Sequence, residues 1–141
     1  VRALLAVKHN IEVAHRLYQT PGKCQNIHGH SMWVTLEVEG QQDATGKLDG
    51  LDFSLMKQAF RGYLDATFDH HLLLHKADPF ARLLDTDSDT NVRLPGLVAL
   101  EADPTTETIA ALVLNAMTAR FPRTSAVEVM ETAVNRARVE R

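Results

Sequence analysis

Two stretches of this chain alternate apolar and polar residues so regularly that extended backbone is their natural conformation. In "LAVKHNIEVAH", Leu5, Val7, His9, Ile11, Val13 and His15 share one face, while Lys8, Asn10 and Glu12 take the other. In "HSMWVTLEVEG", His30, Met32, Val34, Leu36 and Val38 oppose Thr35, Glu37 and Glu39. Successive strand side chains point to opposite faces, so each stretch reads as a strand with one side buried. The turn-rich "YQTPGKCQN" between them predicts antiparallel pairing.

The shared apolar face needs cover, and two helical patterns can supply it. Leu55, Met56, Ala59, Phe60, Tyr63 and Leu64 recur at helical spacing, which predicts a helix over about 54–66 with Asp52 or Ser54 as its cap. A second helix opens at "DPTTE", with Asp103 as candidate cap and Pro104 at the first helical position. Its face of Ile109, Leu112, Val113, Ala116 and Met117 should end before Pro122. "AVEVMETA" then predicts a late strand that places Glu131 on the same face as Val127 and Val129. The "QQDATGKLDG" stretch reads as loop. So does the segment over 76–103, which shows no clear period and suggests a lid or insertion. Within it Asp85, Asp87 and Asp89 have the look of a calcium loop. Thr90 stands where that loop needs Gly and Gly96 where it needs Glu, so the run reads as solvated.

At 141 residues, 45% hydrophobic and 23% charged, the chain fits one globular domain spanning 1–141. A net charge of −3 with 15 scattered basic residues argues against a nucleic-acid partner. No apolar run approaches the ~18 residues needed to span a bilayer, so no membrane role is expected. The single Cys24 suits a reducing compartment, and the expected location is cytoplasmic.

His28 and His30 stand two apart where the second strand begins, so their imidazoles share a face with His15 at the end of the first. Any one of them could be satisfied by a backbone carbonyl. Three converging at once favours a catalytic zinc site with an open fourth position. Cys24 lies in a polar loop beside Lys23, where a nearby cation would favour the thiolate. Asp69 and His70 form a pair in which the carboxylate can set the imidazole's tautomer, though adjacent side chains point apart unless a turn intervenes. Glu107 reads first as a surface carboxylate favoured by the helix dipole. Glu131 on an apolar face asks for a cationic or hydrogen-bond-donating partner.

In order, the chain carries "EVAH", "CQNIHGH", "LDF" before a helix, "DHH", "PTTE" opening a helix, and "ETA" in the last strand. This set resembles the 6-pyruvoyltetrahydropterin and 6-carboxytetrahydropterin synthase family. The resemblance implies an α+β tunnelling fold: a four-stranded antiparallel sheet with two helices on one side, assembled as a homo-oligomer around a channel, with active sites between subunits. It implies zinc held by His15, His28 and His30, and a catalytic set of Cys24, Asp69, His70 and Glu131. Glu131 would also grip the pterin substrate, with Thr105, Thr106 and Glu107 lining its pocket. The three residues between Cys24 and His28 resemble the carboxy branch, which feeds deazapurine (queuosine) biosynthesis. That branch converts 7,8-dihydroneopterin triphosphate and water to 6-carboxy-5,6,7,8-tetrahydropterin, acetaldehyde and triphosphate. A pyruvoyl-type or related pterin lyase, and a non-catalytic zinc- or pterin-binding member, are the other readings. After "ETA" the chain runs on through Arg136, Arg138 and Arg141, read as a frayed basic tail rather than a triphosphate contact.

Overall fold

A computed structural model describes residues 1–48, 50–85 and 94–141. In chain order the elements are β1 (Arg2–His15), β2 (His28–Gln41), α1 (Phe53–Thr67), β3 (His71–His75), α2 (Pro79–Asp85), β4 (Leu97–Leu100), α3 (Thr106–Arg120), β5 (Thr124–Met130) and β6 (Arg136–Glu140). The two alternating stretches are β1 and β2. They pair antiparallel along their whole length, with Val13 opposite His30 and His15 opposite His28. The pattern sorts the faces as expected: Ile11, Met32, Val34 and Leu36 have no exposure, whereas Leu4 and Trp33 on the other side are open to solvent.

α1 and α3 cover the apolar face. Asp52 caps α1 by accepting a hydrogen bond from the Leu55 N–H, which satisfies one of the helix's orphan donors. Met56, Phe60 and Leu64 of α1, with Ile109, Val113 and Met117 of α3, join the inward residues of β1, β2 and β5 in one cluster. Each such large side chain stabilises the fold by about 1.5–3 kcal/mol through burial. No helix among the described residues is long and apolar enough to cross a membrane.

The sheet departs from the four-stranded antiparallel arrangement expected above. It has six strands in the order β4-β3-β1-β2-β5-β6, and the helices number three rather than two among the described residues. β3 runs parallel to β1, and β4 parallel to β3, so the sheet is mixed. The added strands come from stretches whose period is hidden. β3 is "HLLLH", with Leu73 and Leu74 both fully buried, and a strand covered on both faces shows no alternation. β4 is only four residues long and, with α2, falls in the segment expected to be irregular. Asp87 and Asp89 of that segment lie outside the described residues.

β6 corrects the frayed tail. "RARVE" alternates over five residues and pairs antiparallel with β5. Its arginines are engaged: Arg138 Nη2 donates to Glu37 Oε2 at 2.6 Å, and Arg141 Nη1 donates to the Pro122 carbonyl at 2.6 Å. The first bond ties β6 across β5 to β2, and the second anchors the residue after β6 to the turn before β5.

Candidate functional site

The end of the β1–β2 ladder gathers three imidazoles. His15 closes β1, His28 opens β2 opposite it, and His30 follows two residues on, so all three emerge on the helix-covered face. A side chain on the spacer Gly29 would place its Cβ 3.2 Å from the Val13 carbonyl, so this close pairing favours glycine there. The ring centroids lie 4.6 Å apart for His15 and His28, 5.0 Å for His28 and His30, and 5.1 Å for His15 and His30. One ring nitrogen from each falls within 4.8 Å of the others, a spacing that could hold a metal ion.

The surrounding backbone sets the tautomers. His15 Nδ1 lies 2.8 Å from the Pro104 carbonyl, and His28 Nδ1 lies 2.7 Å from the Asn26 carbonyl. A carbonyl can only accept, so both Nδ1 atoms carry hydrogen and both Nε2 atoms present lone pairs. His15 Nε2 is buried without a hydrogen-bond partner. An orphaned buried acceptor is costly, and a metal ion would satisfy it. Burial holds the pKa of His15 below its ordinary value, outweighing the Pro104 carbonyl, which pushes the other way; His28 adds to the lowering. Neutral imidazole is the form that ligates metal. Three nitrogen donors facing a cleft match an open metal site, so the residues fit zinc.

Glu131 lies just past β5, and the β5–β6 turn fixes it: its N–H donates to the Asn135 carbonyl at 3.0 Å. Its Oε1 stands 3.6 Å from the Nε2 atoms of both His15 and His30, beyond hydrogen-bond length yet close enough for strong attraction to any cation there. A cleft of about 730 Å³ opens at this point and is lined by the three histidines, Cys24, Thr105, Thr106, Glu107 and Glu131. Cys24 rides a 3-10 turn at Lys23–Gln25 and is half-buried. Thr105 caps α3 by accepting from the Thr108 N–H, so the helix begins at Thr106 and Asp103 is not its cap. Pro104 stays outside the helix, with its carbonyl turned to His15.

Lys23, Asn26, Thr132 and Asn135 also line the cleft, and the sequence reading did not assign them to it. The Asn26 and Pro104 carbonyls that orient the histidines were out of its reach, because a backbone acceptor leaves no mark on residue identity.

Asp69 and His70 occupy a different place. Asp69 Oδ1 accepts from the Glu12 N–H at 2.8 Å, and its Oδ2 lies 2.7 Å from His70 Nδ1. Desolvation pushes the Asp69 pKa up, yet the Glu12 N–H and His70 together hold it below the usual carboxylate value. His70 takes φ 58°, a left-handed conformation that a residue with a side chain adopts at some cost, and this turn lets adjacent Asp69 and His70 meet. The imidazole is 78% exposed. It lines a second cleft of about 650 Å³ with Glu12, Ala14, Gly29 and Ser31, positions on the strand face opposite His15 and His28. The described chain therefore brings Cys24, Glu131 and the histidines into one cleft and leaves Asp69 and His70 out of it. His9, the other strand histidine on the covered face, is taken up by Asp65 at 2.7 Å.

The family model described as 6-pyruvoyl tetrahydropterin synthase matches residues 4–141. The 6-carboxy-5,6,7,8-tetrahydropterin synthase of Synechocystis sp. is 31% identical over 133 residues, 92% of this chain and 86% of that protein. The protein of the same name from Rickettsia typhi is 37% identical over 70 residues, 49% of each; the chain spans about half the length of the rickettsial relatives it matches. Among solved structures, an uncharacterized protein from Wolinella succinogenes superposes with a TM-score of 0.83 at 20% identity, covering 99% of this chain and 98% of that one. The Caenorhabditis elegans 6-pyruvoyl tetrahydropterin synthase gives 0.71 at 21% identity over 100% and 96%. At these identities the structural likeness speaks for the fold alone. With a family match that runs from β1 through β6, this chain belongs to the 6-pyruvoyl tetrahydropterin synthase family.

Proposed function

We propose that this chain is a zinc-dependent 6-carboxy-5,6,7,8-tetrahydropterin synthase of the cytoplasm, converting 7,8-dihydroneopterin triphosphate and water to 6-carboxytetrahydropterin, acetaldehyde and triphosphate for deazapurine (queuosine) biosynthesis. The observation that carries the reading is the single cleft in which three histidines, two of them with tautomers set by backbone carbonyls, a half-buried thiol and a carboxylate converge. The Synechocystis relative, matched over most of both chains, bears that enzyme's name. Three residues between Cys24 and His28 favour the same branch.

His15, His28 and His30 hold the metal and, with their Nδ1 protons tied to carbonyls where the geometry provides one, keep their lone pairs aimed at it. Zinc, when bound, supplies Lewis acidity toward the substrate's side-chain hydroxyls and so acidifies the neighbouring carbon-bound protons. Glu131 accepts hydrogen bonds from the amino-pyrimidine edge of the pterin. Thr105, Thr106 and Glu107, at the start of α3, line the same cleft and close on the substrate from the helix side. Cys24 takes or returns a proton on one side of the substrate. His70, with Asp69 on its Nδ1, offers Nε2 as the second proton carrier.

Because His70 points into a separate cleft and is largely exposed, it serves the site of a neighbouring copy, and the active unit is a homo-oligomer with sites between subunits. The test is incubation of zinc-loaded protein with 7,8-dihydroneopterin triphosphate, following acetaldehyde and the carboxylated pterin together. Both products should appear in equal amounts. Pyruvoyl-pterin without acetaldehyde would favour the pyruvoyl branch, and no turnover at all would leave a binding protein.

A further inference from the structure

The Cys24 turn is held from behind by a buried ion pair. Asp78, between β3 and α2, has a side chain with no solvent exposure. Arg16, directly after His15, meets it with two parallel hydrogen bonds, Nε to Oδ2 at 2.7 Å and Nη2 to Oδ1 at 3.1 Å. The remaining terminal nitrogen, Nη1, donates to the Gln25 carbonyl at 2.9 Å. The guanidinium plane is backed by Phe80, its Cζ 4.5 Å from the ring centroid. Asp78 Oδ1 also accepts from the Phe80 N–H at 2.9 Å, so the carboxylate is pinned at the start of α2.

A planar fork with five donors suits this geometry, and a lysine cannot reproduce it. The contact it makes with the loop falls on the residue after Cys24. Two further bonds close the same turn: the Leu17 N–H donates to the Cys24 carbonyl at 2.8 Å, and Gln25 Nε2 donates to the Tyr18 carbonyl at 3.1 Å. Asn26, the next residue, supplies the carbonyl that orients His28.

We propose that Arg16 and Asp78 are positioning residues that set where the Cys24 thiol stands in the cleft. Asp78 fixes the guanidinium, and the guanidinium fixes the Gln25 carbonyl. The segment following β3 thus acts as the backstop of the Cys24 turn. The functional weight of this arrangement rests on the proton-transfer role proposed for Cys24, whereas the arrangement itself can be read without turnover.

Cys24 is the chain's only cysteine, so iodoacetamide alkylation followed by mass reports on that thiol alone. In zinc-loaded Arg16→Lys and Asp78→Asn, the alkylation rate should rise about tenfold as the half-buried thiol is released, with zinc content unchanged. In the same variants kcat should fall about tenfold or more while KM stays within about twofold, as expected when a proton carrier is misplaced and substrate binding is not. Asp78→Asn keeps an acceptor for the Phe80 N–H and serves where Arg16→Lys does not fold. A lowered melting temperature with wild-type alkylation rate and kcat in the folded variants would overturn the proposal and leave the pair a stabilising contact. If the wild-type protein turns over no 7,8-dihydroneopterin triphosphate, the reaction assigned above fails by itself, and the alkylation rates still decide the positioning role.

Discussion

The two clefts at the His15 end of the sheet differ in what each holds ready. On the helix-covered face, His15 is 1% exposed, its tautomer and that of His28 are set by backbone carbonyls, and Glu131 stands beside them. On the opposite face, Asp69 and His70 form a pair that is internally ordered but turned outward, with the imidazole open to solvent. One cleft gathers an ordered set of candidate metal ligands. The other presents an ordered Asp–His pair that, among the described residues, stands apart from Cys24 and Glu131. His15 is packed into the core with His28 and His30 half-buried beside it, whereas the Asp69–His70 pair stands on a left-handed corner open to solvent, the arrangement expected if His70 serves a neighbouring copy as proposed above.

The strongest way to break this contrast is at the ligand set. His15→Ala or His28→Ala should lose the zinc and at least ~10³-fold in turnover, because several kcal/mol of charge stabilisation disappear with the metal. His9→Ala, which only releases Asp65, should keep the metal; elemental analysis of the purified variants checks both. At the next level, Cys24→Ala and His70→Ala should each cost about 10²- to 10⁴-fold while retaining zinc. Dissociating and reassembling an equal mixture of these two variants should restore about a quarter of wild-type activity, since sites built from two chains pair an intact Cys24 with an intact His70 that often. No recovery on mixing would place both groups in one chain's site.

A milder lesion is Asp69→Asn, which removes the acceptor that sets the His70 tautomer. Turnover should drop by about 10- to 10²-fold with KM little changed. The smallest effect concerns acidity. Burial lowers the pKa of His15 below its ordinary value of 6.5, so in mildly acid solution the unfolded chain takes up a proton that the folded chain refuses. The stability of metal-free protein is therefore full above 6.5 and declines as the pH falls below it, down toward the lowered folded value. Melting curves of metal-free protein on either side of 6.5 should show the decline, and bound zinc should offset it until protons displace the metal.

What could be read from residue identity follows the same division. β1, β2 and α1 were legible because each has one wet and one dry face, and that asymmetry writes a period into the chain, whereas α3 was legible from its "DPTTE" opening and the apolar run that ends before Pro122. His15, His28 and His30 were legible as a set because strand alternation put them on one side. β3 was hidden by its own burial, since "LLL" carries no period, and β4 was too short to declare one. The separation of His70 from Cys24 could not be read at all: it depends on a left-handed turn at His70 and on the sheet having two faces. The tail from Arg136 misled because a row of arginines reads as solvated until the acids opposite, Glu37 among them, are known.

The pairing of His15 with His28 also makes the proposed metal centre a gauge of register. A slip of β2 by one residue along β1 would set Gly29 opposite His15 and swing both remaining histidines to the far face, since side chains alternate with a period of two. The ion can be captured only by the one alignment out of many that also buries Ile11 against the helices. With zinc held by these histidines as proposed, its uptake during refolding is a direct signal that β1 and β2 have closed in register.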